Sequence, residues 1–144
     1  MRVAPGDVRT VGLVGAGTIG AGWAAHFLAR GLNVIAIDPG KRAEDRMRRK
    51  IAQAWPSLEA KGLAPGATMA RLEFRPRLDA SFAKVDFVQE SCPESLGTKR
   101  LVIGEISRCI RQDVIIASSS SYLTPSELNV DCVAPERFII GHPF

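Results

Sequence analysis

Three glycines between an apolar run and a helix-compatible stretch constrain the fold of this chain more than any other feature. Gly15, Gly17 and Gly20 follow the apolar residues Val11–Val14, and the helix-compatible stretch Ile19–Arg30 comes next. A Gly-x-Gly-x-x-Gly turn between a strand and a helix is typical of domains that bind dinucleotides. The first glycine permits a tight turn, the second lets the backbone approach a pyrophosphate, and the third lets the helix pack closely.

Two further features complete this fingerprint and indicate which dinucleotide binds. The N–H groups that open the helix, at Thr18 and Ile19, are expected to bind the phosphates. A second apolar run ends on Asp38, whose carboxylate would accept hydrogen bonds from the adenosine ribose and repel a 2′-phosphate, so NAD is favoured over NADP. Lys41 and Arg42 could hold such a phosphate, which keeps NADP as the alternative, but we interpret them as solvated residues at a helix start.

Downstream of Asp38 the sequence alternates short apolar runs with helix-compatible stretches. This alternation predicts an α/β fold, a Rossmann-type doubly wound parallel sheet with helices on both faces, in which residues 1–144 form one domain. Pro56 is expected to kink or restart the helix that precedes it. The remaining strands are predicted at 72–75, 85–89, 114–117 and 138–140, and the longer helices at 43–55, 58–63 and 94–110.

Composition argues against several other classes of protein. The chain is 46% hydrophobic, but no run reaches the roughly 18 apolar residues of a membrane span. Cys92, Cys109 and Cys132 are widely spaced, which favours reduced thiols in a cytoplasmic protein over disulfides. Two histidines offer no cluster for a metal site. The net charge of +4 is concentrated at 41–50, which we interpret as an exposed helix face and not as a surface for nucleic acid.

Polar residues follow the last predicted strands, at the ends where parallel sheets bind ligands. Ser118–Ser121 follow the strand at 114–117, and their hydroxyls can bond a nicotinamide, a ribose or a substrate oxygen. His142 follows the last strand and titrates near neutrality, so it can accept a hydroxyl proton as a hydride leaves. The alternatives are a polar loop that caps a helix and a structural histidine. His26 is interpreted as a packing or surface residue.

Taken together, these motifs resemble the 3-hydroxyacyl-CoA dehydrogenase superfamily from Val11 to Phe144. The family pattern has the glycine fingerprint, Glu-x-x-x-Glu-x-x-x-x-Lys after the fourth strand, Ala-Ser-x-x-Ser after the fifth, and a Gly-His or Leu-His followed by Asn-Pro. In this sequence the corresponding residues are 15–20, then Glu90 with Glu94 and Lys99, then 117–121, and finally 141–144.

The resemblance implies an NAD-dependent 3-hydroxy acid dehydrogenase and assigns roles to particular residues. His142 would be the general base, and Ser121 would orient the substrate oxygen and the histidine. Ser119 stands where the family often has an asparagine beside the nicotinamide. Glu94 and Lys99 match residues near the nicotinamide ribose.

Three further stretches narrow the resemblance within the superfamily. Residues 54–58, 62–67 and 89–94 resemble the L-carnitine dehydrogenase branch, with the lambda-crystallin-type L-gulonate dehydrogenases next. The interval from Asp38 to Leu72 is also shorter than in the acyl-CoA branch, where a helical extension touches CoA. A small 3-hydroxy acid is therefore implied as substrate, carnitine first, with gulonate or an acyl-CoA as alternatives. A catalytically silent NAD-binding module is the alternative from another class.

In the family, a glutamate pairs with the histidine, and a helical C-terminal domain supplies a substrate-binding asparagine and a dimer interface. The present sequence ends two residues after His142. We therefore expect it to be the cofactor domain, nearly inactive alone, with the substrate and dimerisation domain outside it. The complete enzyme is expected to be a homodimer with no nucleic-acid or membrane partner.

Overall fold

A computed structural model describes residues 2–144, and its centre is one sheet of six strands. The strands are β1 Thr10–Val14, β2 Asn33–Ile37, β3 Leu72–Arg75, β4 Phe87–Glu90, β5 Ile115–Ser118 and β6 Phe138–Ile140. Their order in the sheet is β3-β2-β1-β4-β5-β6, and every neighbouring pair is parallel. The chain direction across the sheet reverses between β1 and β4, which is where doubly wound sheets bind ligands. The predicted fold class is confirmed.

Helices cover both faces of the sheet because the side chains of its strands alternate between two cores. The helices are α1 Thr18–Ala29, α2 Ala43–Lys61, α3 Leu96–Cys109 and α4 Pro125–Leu128. In β2, Val34 packs in the core that contains the buried faces of α1 and α2. The next residue, Ile35, packs in the core that contains Ile103 and Ile106 of α3. This arrangement leaves the carboxyl ends of the strands open at one edge.

The helix around Pro56 differs from the prediction. α2 runs without interruption from Ala43 to Lys61 with Pro56 inside it, so the helix does not end and restart at Pro56. Proline removes one backbone hydrogen bond of a helix, but Pro56 is exposed, where water can satisfy the freed carbonyl. The buried residues Ile51 and Trp55 hold this part of the helix in the core that it shares with α1.

The starts of two elements also differ by two residues from the predicted ones. α3 begins at Leu96 and not at residue 94, because the Ser95 side chain caps the helix by accepting a hydrogen bond from the Thr98 N–H. β4 begins at Phe87 and not at residue 85, because Val85 follows a short 3₁₀ helix directly. None of the helices described for residues 2–144 is both long and apolar enough to span a bilayer.

Candidate cofactor site and active site

The glycine turn between β1 and α1 is built around conformations that other residues would not tolerate. Gly15 has a φ of +99°, and a Cβ there would lie 2.6 Å from the carbonyl carbon of Ser91. A Cβ on Gly20 would lie 2.0 Å from the carbonyl oxygen of Gly15, whereas one on Gly17 would meet nothing within 4 Å. Gly17 is the N-cap of α1 and has no side-chain cap. The open side of Gly17 therefore leaves the first N–H groups of α1 accessible to a phosphate.

The carboxylate of Asp38, at the end of β2, fixes the turn from the other side. Its Oδ2 accepts a hydrogen bond from the Ala16 N–H and its Oδ1 accepts one from the Gly40 N–H, both at 2.8 Å. Each carboxylate oxygen keeps a further lone pair, so the predicted ribose contact stays chemically available. Arg42, a candidate for a 2′-phosphate, instead pairs with Asp45 at 3.4 Å on the surface.

Lys50 brings a positive charge to the start of α1, which the sequence did not suggest. Its Nζ donates a hydrogen bond to Thr18 Oγ1 at 2.6 Å. Lys50 belongs to the basic run of α2 that was interpreted as a solvated face. Only the packing of α2 against α1 places this lysine beside the phosphate-binding turn.

A buried ion pair lies at the floor of the site. Lys99 Nζ lies 2.8 Å and 3.1 Å from the two carboxylate oxygens of Glu90 and 3.0 Å from the Cys92 carbonyl. Both charged side chains are at most 1% exposed. An ammonium has three protons, and these three contacts use all of them. Lys99 therefore fixes the loop after β4 against Glu90, and it also lines the cavity, so its position near the nicotinamide ribose stays a prediction.

The Cys92 thiol beside this pair stays protonated. Burial, and next the negative charge of Glu90, raise its pKa to about 12. A thiol in this state is neither a nucleophile nor a metal ligand at neutral pH. Across residues 2–144, no group of three or more His, Cys, Asp or Glu side chains is placed to hold a metal ion.

Ser119, at the end of β5, lies in a network of polar side chains. Its Oγ accepts a hydrogen bond from Gln89 Nε2 at 2.7 Å and one from Trp23 Nε1 at 3.3 Å, and it lies 2.8 Å from Ser91 Oγ. Gln89 Nε2 also donates to the Gly141 carbonyl at 3.0 Å. Gln89 thus connects the ends of β5 and β6, a role that no local sequence pattern indicates.

Glu94 holds the serine loop. Its Oε1 accepts a hydrogen bond from the Ser120 hydroxyl, and its Oε2 accepts one from the Ser121 N–H at 3.1 Å. The loops after β4 and β5 are thereby joined at the rim of the site. A position near the nicotinamide ribose, as the resemblance implies, is compatible with this placement.

Ser121 and His142 meet at the exposed rim. Ser121 Oγ lies 3.2 Å from Nε2 of His142. The imidazole packs edge-on against the ring of Phe144, with 5.7 Å between the ring centroids. A hydroxyl and an imidazole in contact can share one oxygen ligand and move its proton.

Most of the predicted site residues line one open cavity of about 420 Å³. Two predicted residues do not line it: Gly20 lies behind the turn, and His142 contacts the lining residue Ser121. His26 is exposed on α1 and takes no part in it. The predicted residues that line the cavity are Gly15, Gly17, Thr18, Ile19, Asp38, Glu94, Lys99, Ser119 and Ser121.

The model of the family described as 3-hydroxyacyl-CoA dehydrogenase, NAD binding domain, matches residues 10–144. The chain belongs to this family of NAD-binding domains. NAD is accordingly its cofactor, as predicted, and the open glycine turn with Asp38 beside it fits a dinucleotide. The prediction of the superfamily is likewise confirmed.

Named relatives of this NAD-binding domain include dehydrogenases of two kinds. It is 48% identical over 143 residues to the L-carnitine dehydrogenase of Nocardiopsis dassonvillei, which covers 99% of this chain and 44% of that protein. It is 49% identical over 137 residues to the L-carnitine dehydrogenase of Burkholderia mallei, and this match covers 95% of this chain and 43% of that protein. The 3-hydroxybutyryl-CoA dehydrogenase of Escherichia coli superposes with a TM-score of 0.84 at 25% identity, covering 95% of this chain and 30% of that one. The chain thus spans less than half the length of these relatives.

Proposed function

We propose that this NAD-binding domain is the cofactor half of an enzyme that oxidises a small 3-hydroxy acid to the 3-oxo acid, with L-carnitine the first candidate and 3-dehydrocarnitine its product. The contact of 3.2 Å between Ser121 and His142 carries the proposal. This pair lies at the same sheet edge as the glycine turn and Asp38, so one bound dinucleotide and one small acid can meet there.

In the proposed reaction, NAD supplies the acceptor for the hydride that leaves the hydroxyl-bearing carbon. The His142 imidazole accepts the hydroxyl proton, and the Ser121 hydroxyl holds the substrate oxygen in line with it. Glu94 fixes the backbone of Ser121. The Gly141 N–H donates to the Ser118 carbonyl at 2.8 Å, which holds the backbone beside His142.

Two observations favour a small acid over an acyl-CoA. The relatives that are 48% and 49% identical are named L-carnitine dehydrogenases, whereas the 3-hydroxybutyryl-CoA enzyme is 25% identical. The connection from β2 to β3 consists of α2 and one short 3₁₀ turn and holds no second long helix to contact CoA. L-gulonate and acyl-CoA esters are the alternative substrates.

The proposal extends to the complete protein that carries this domain. A further helical domain would complete the substrate site and form a homodimer, and the cofactor domain alone would be nearly inactive. A cytoplasmic location fits the three cysteines, which are all free thiols.

Steady-state assays of the complete protein with saturating NAD test the substrate. We expect the highest kcat/KM with L-carnitine, a lower value with L-gulonate and the lowest with 3-hydroxybutyryl-CoA. The highest value with the CoA ester would contradict the proposal. Tight NAD binding with no turnover of any 3-hydroxy acid would identify a binding module instead.

A further inference from the structure

We infer that the Ser91 hydroxyl donates a hydrogen bond to the nicotinamide-nucleoside half of NAD, and that Gln89 and Trp23 fix the direction of this donor through Ser119. The inference deepens the proposed function, on which it rests, by assigning a cofactor contact to a residue outside the predicted site. It follows from counting the protons of four hydrogen-bonded side chains.

The orientation of the Gln89 amide is fixed first. Its nitrogen lies 3.0 Å from the Gly141 carbonyl oxygen, which can only accept a hydrogen bond. The NH₂ group must therefore face Gly141, and its second proton points to Ser119 Oγ at 2.7 Å. A reversed amide would place its oxygen against the Gly141 carbonyl oxygen, and Gln89 is only 2% exposed, so no water can replace the lost bond.

The proton of Ser119 then has one destination. The Ser119 oxygen accepts from Gln89 Nε2 and from Trp23 Nε1, at 2.7 Å and 3.3 Å, and an indole N–H can only donate. A hydroxyl oxygen has two lone pairs and one proton, so both lone pairs are occupied. The remaining neighbour, Ser91 Oγ at 2.8 Å, must accept the Ser119 proton.

Ser91 is thereby left with its own proton to donate. The backbone of Ser91 is fixed because its N–H donates to the Val14 carbonyl at 2.8 Å. Its side chain is half-buried and lines the cavity beside Gly15. Ser91 therefore presents a hydroxyl donor to the cavity, which Ser119 also lines.

The sheet order indicates which half of the cofactor receives this bond. Asp38 follows β2, the glycine turn follows β1, Ser91 follows β4 and His142 follows β6. With the adenosine ribose at Asp38 and the phosphates at the turn, Ser91 lies on the side of His142. The acceptor is then an oxygen of the nicotinamide carboxamide or of its ribose.

Calorimetric titration of NAD, ADP-ribose and ADP into the chain tests the inference without requiring turnover. Ser91→Ala should weaken NAD binding by about three- to tenfold, the effect of one lost hydrogen bond, and leave ADP binding unchanged. Trp23→Phe removes one donor to Ser119 and keeps an aromatic ring, so it should weaken NAD by roughly twofold. Ser57→Ala, on the exposed side of α2, is the matched control. Thermal unfolding without ligand checks that each variant is folded.

The arms of the experiment separate the possible outcomes. Loss of ADP-ribose affinity in parallel with NAD identifies the ribose as acceptor, and loss of NAD affinity alone identifies the carboxamide; both support the inference. Wild-type NAD affinity in Ser91→Ala and Trp23→Phe would overturn it, as would equal losses for NAD and ADP. Failure of the wild-type chain to bind NAD would count against the proposed function instead.

Discussion

The hydroxyl of Ser121 lies 3.2 Å from Nε2 of His142, although the two residues stand 21 positions apart. They belong to the loops after β5 and β6, which are neighbouring strands in the sheet. The pairing of the two strands therefore brings these residues into contact. In the proposed reaction, a pair that is already assembled before the substrate arrives favours rapid proton transfer.

In the complete protein, His142→Gln should lower kcat by about 10²–10⁴-fold, the usual contribution of general acid–base catalysis. The NAD dissociation constant should change little. Ser121→Ala should lower kcat by a smaller factor, because this hydroxyl orients the substrate oxygen and does not act as the base that accepts the proton. Steady-state kinetics together with NAD titration measure both effects. An equal loss of NAD affinity in His142→Gln would show that the histidine is structural.

Asp38→Asn should weaken NAD binding by roughly tenfold or more, because hydrogen bonds to a charged group contribute about 1.5–3 kcal/mol. The replacement places an NH₂ group against the N–H of Ala16 or Gly40, which both donate to Asp38. NADP should lose less affinity, because the repulsion of its 2′-phosphate also disappears. Titration of both cofactors gives the ratio of their dissociation constants, with the exposed Asp7→Asn as the control. An unchanged ratio would show that Asp38 does not select the cofactor.

The sequence predicts the fold well because the fold depends on local patterns. The fingerprint from Gly15 to Gly20 and the alternation of apolar runs with helices need only neighbouring residues. The first residue of a helix is harder to predict where a side chain determines it, as Ser95 does by capping α3. The unbroken helix around Pro56 depends on packing that the sequence does not display.

Much of the site could not be predicted because its contacts join residues that are distant along the chain. Lys50 bonds Thr18 across 32 positions and Gln89 bonds Gly141 across 52. Neither partner carries a pattern that indicates the other. The family motif marks Lys99 but does not show that this lysine is buried against Glu90.

Lys99→Met should destabilise the domain by about 3–5 kcal/mol, because it leaves the buried Glu90 carboxylate without its counter-ion. The double variant with Glu90→Gln should regain much of this loss. Chemical denaturation with an extrapolated free energy of unfolding measures both, and Lys61→Met on the surface serves as control. A single variant as stable as the wild type would mean that this pair is not essential to the fold.

Acid should destabilise the domain partly through Asp86. Burial raises the pKa of this carboxyl, but hydrogen bonds from the N–H groups of Arg9 and Thr10 and from Arg111 outweigh it, so the pKa lies below 3.8. The unfolded chain therefore takes up the proton first, and the stabilisation, complete well above pH 3.8, is lost as the pH falls below it. Asp86→Asn should make the free energy of unfolding less dependent on pH in this range, whereas exposed Asp7→Asn should not. Parallel curves for wild type and Asp86→Asn would refute this.

The two tryptophans of the chain lie in separate environments that suit fluorescence spectroscopy. Trp23 donates to Ser119 at the rim of the cofactor cavity, whereas Trp55 is buried in the core that α2 shares with α1. Bound NADH absorbs in the range of indole emission, so quenching of Trp23 would report occupancy of the site. The emission of Trp55 would shift only when the core opens. With Trp55→Phe to isolate the first signal, one chain supplies its own optical probes for cofactor binding and for unfolding.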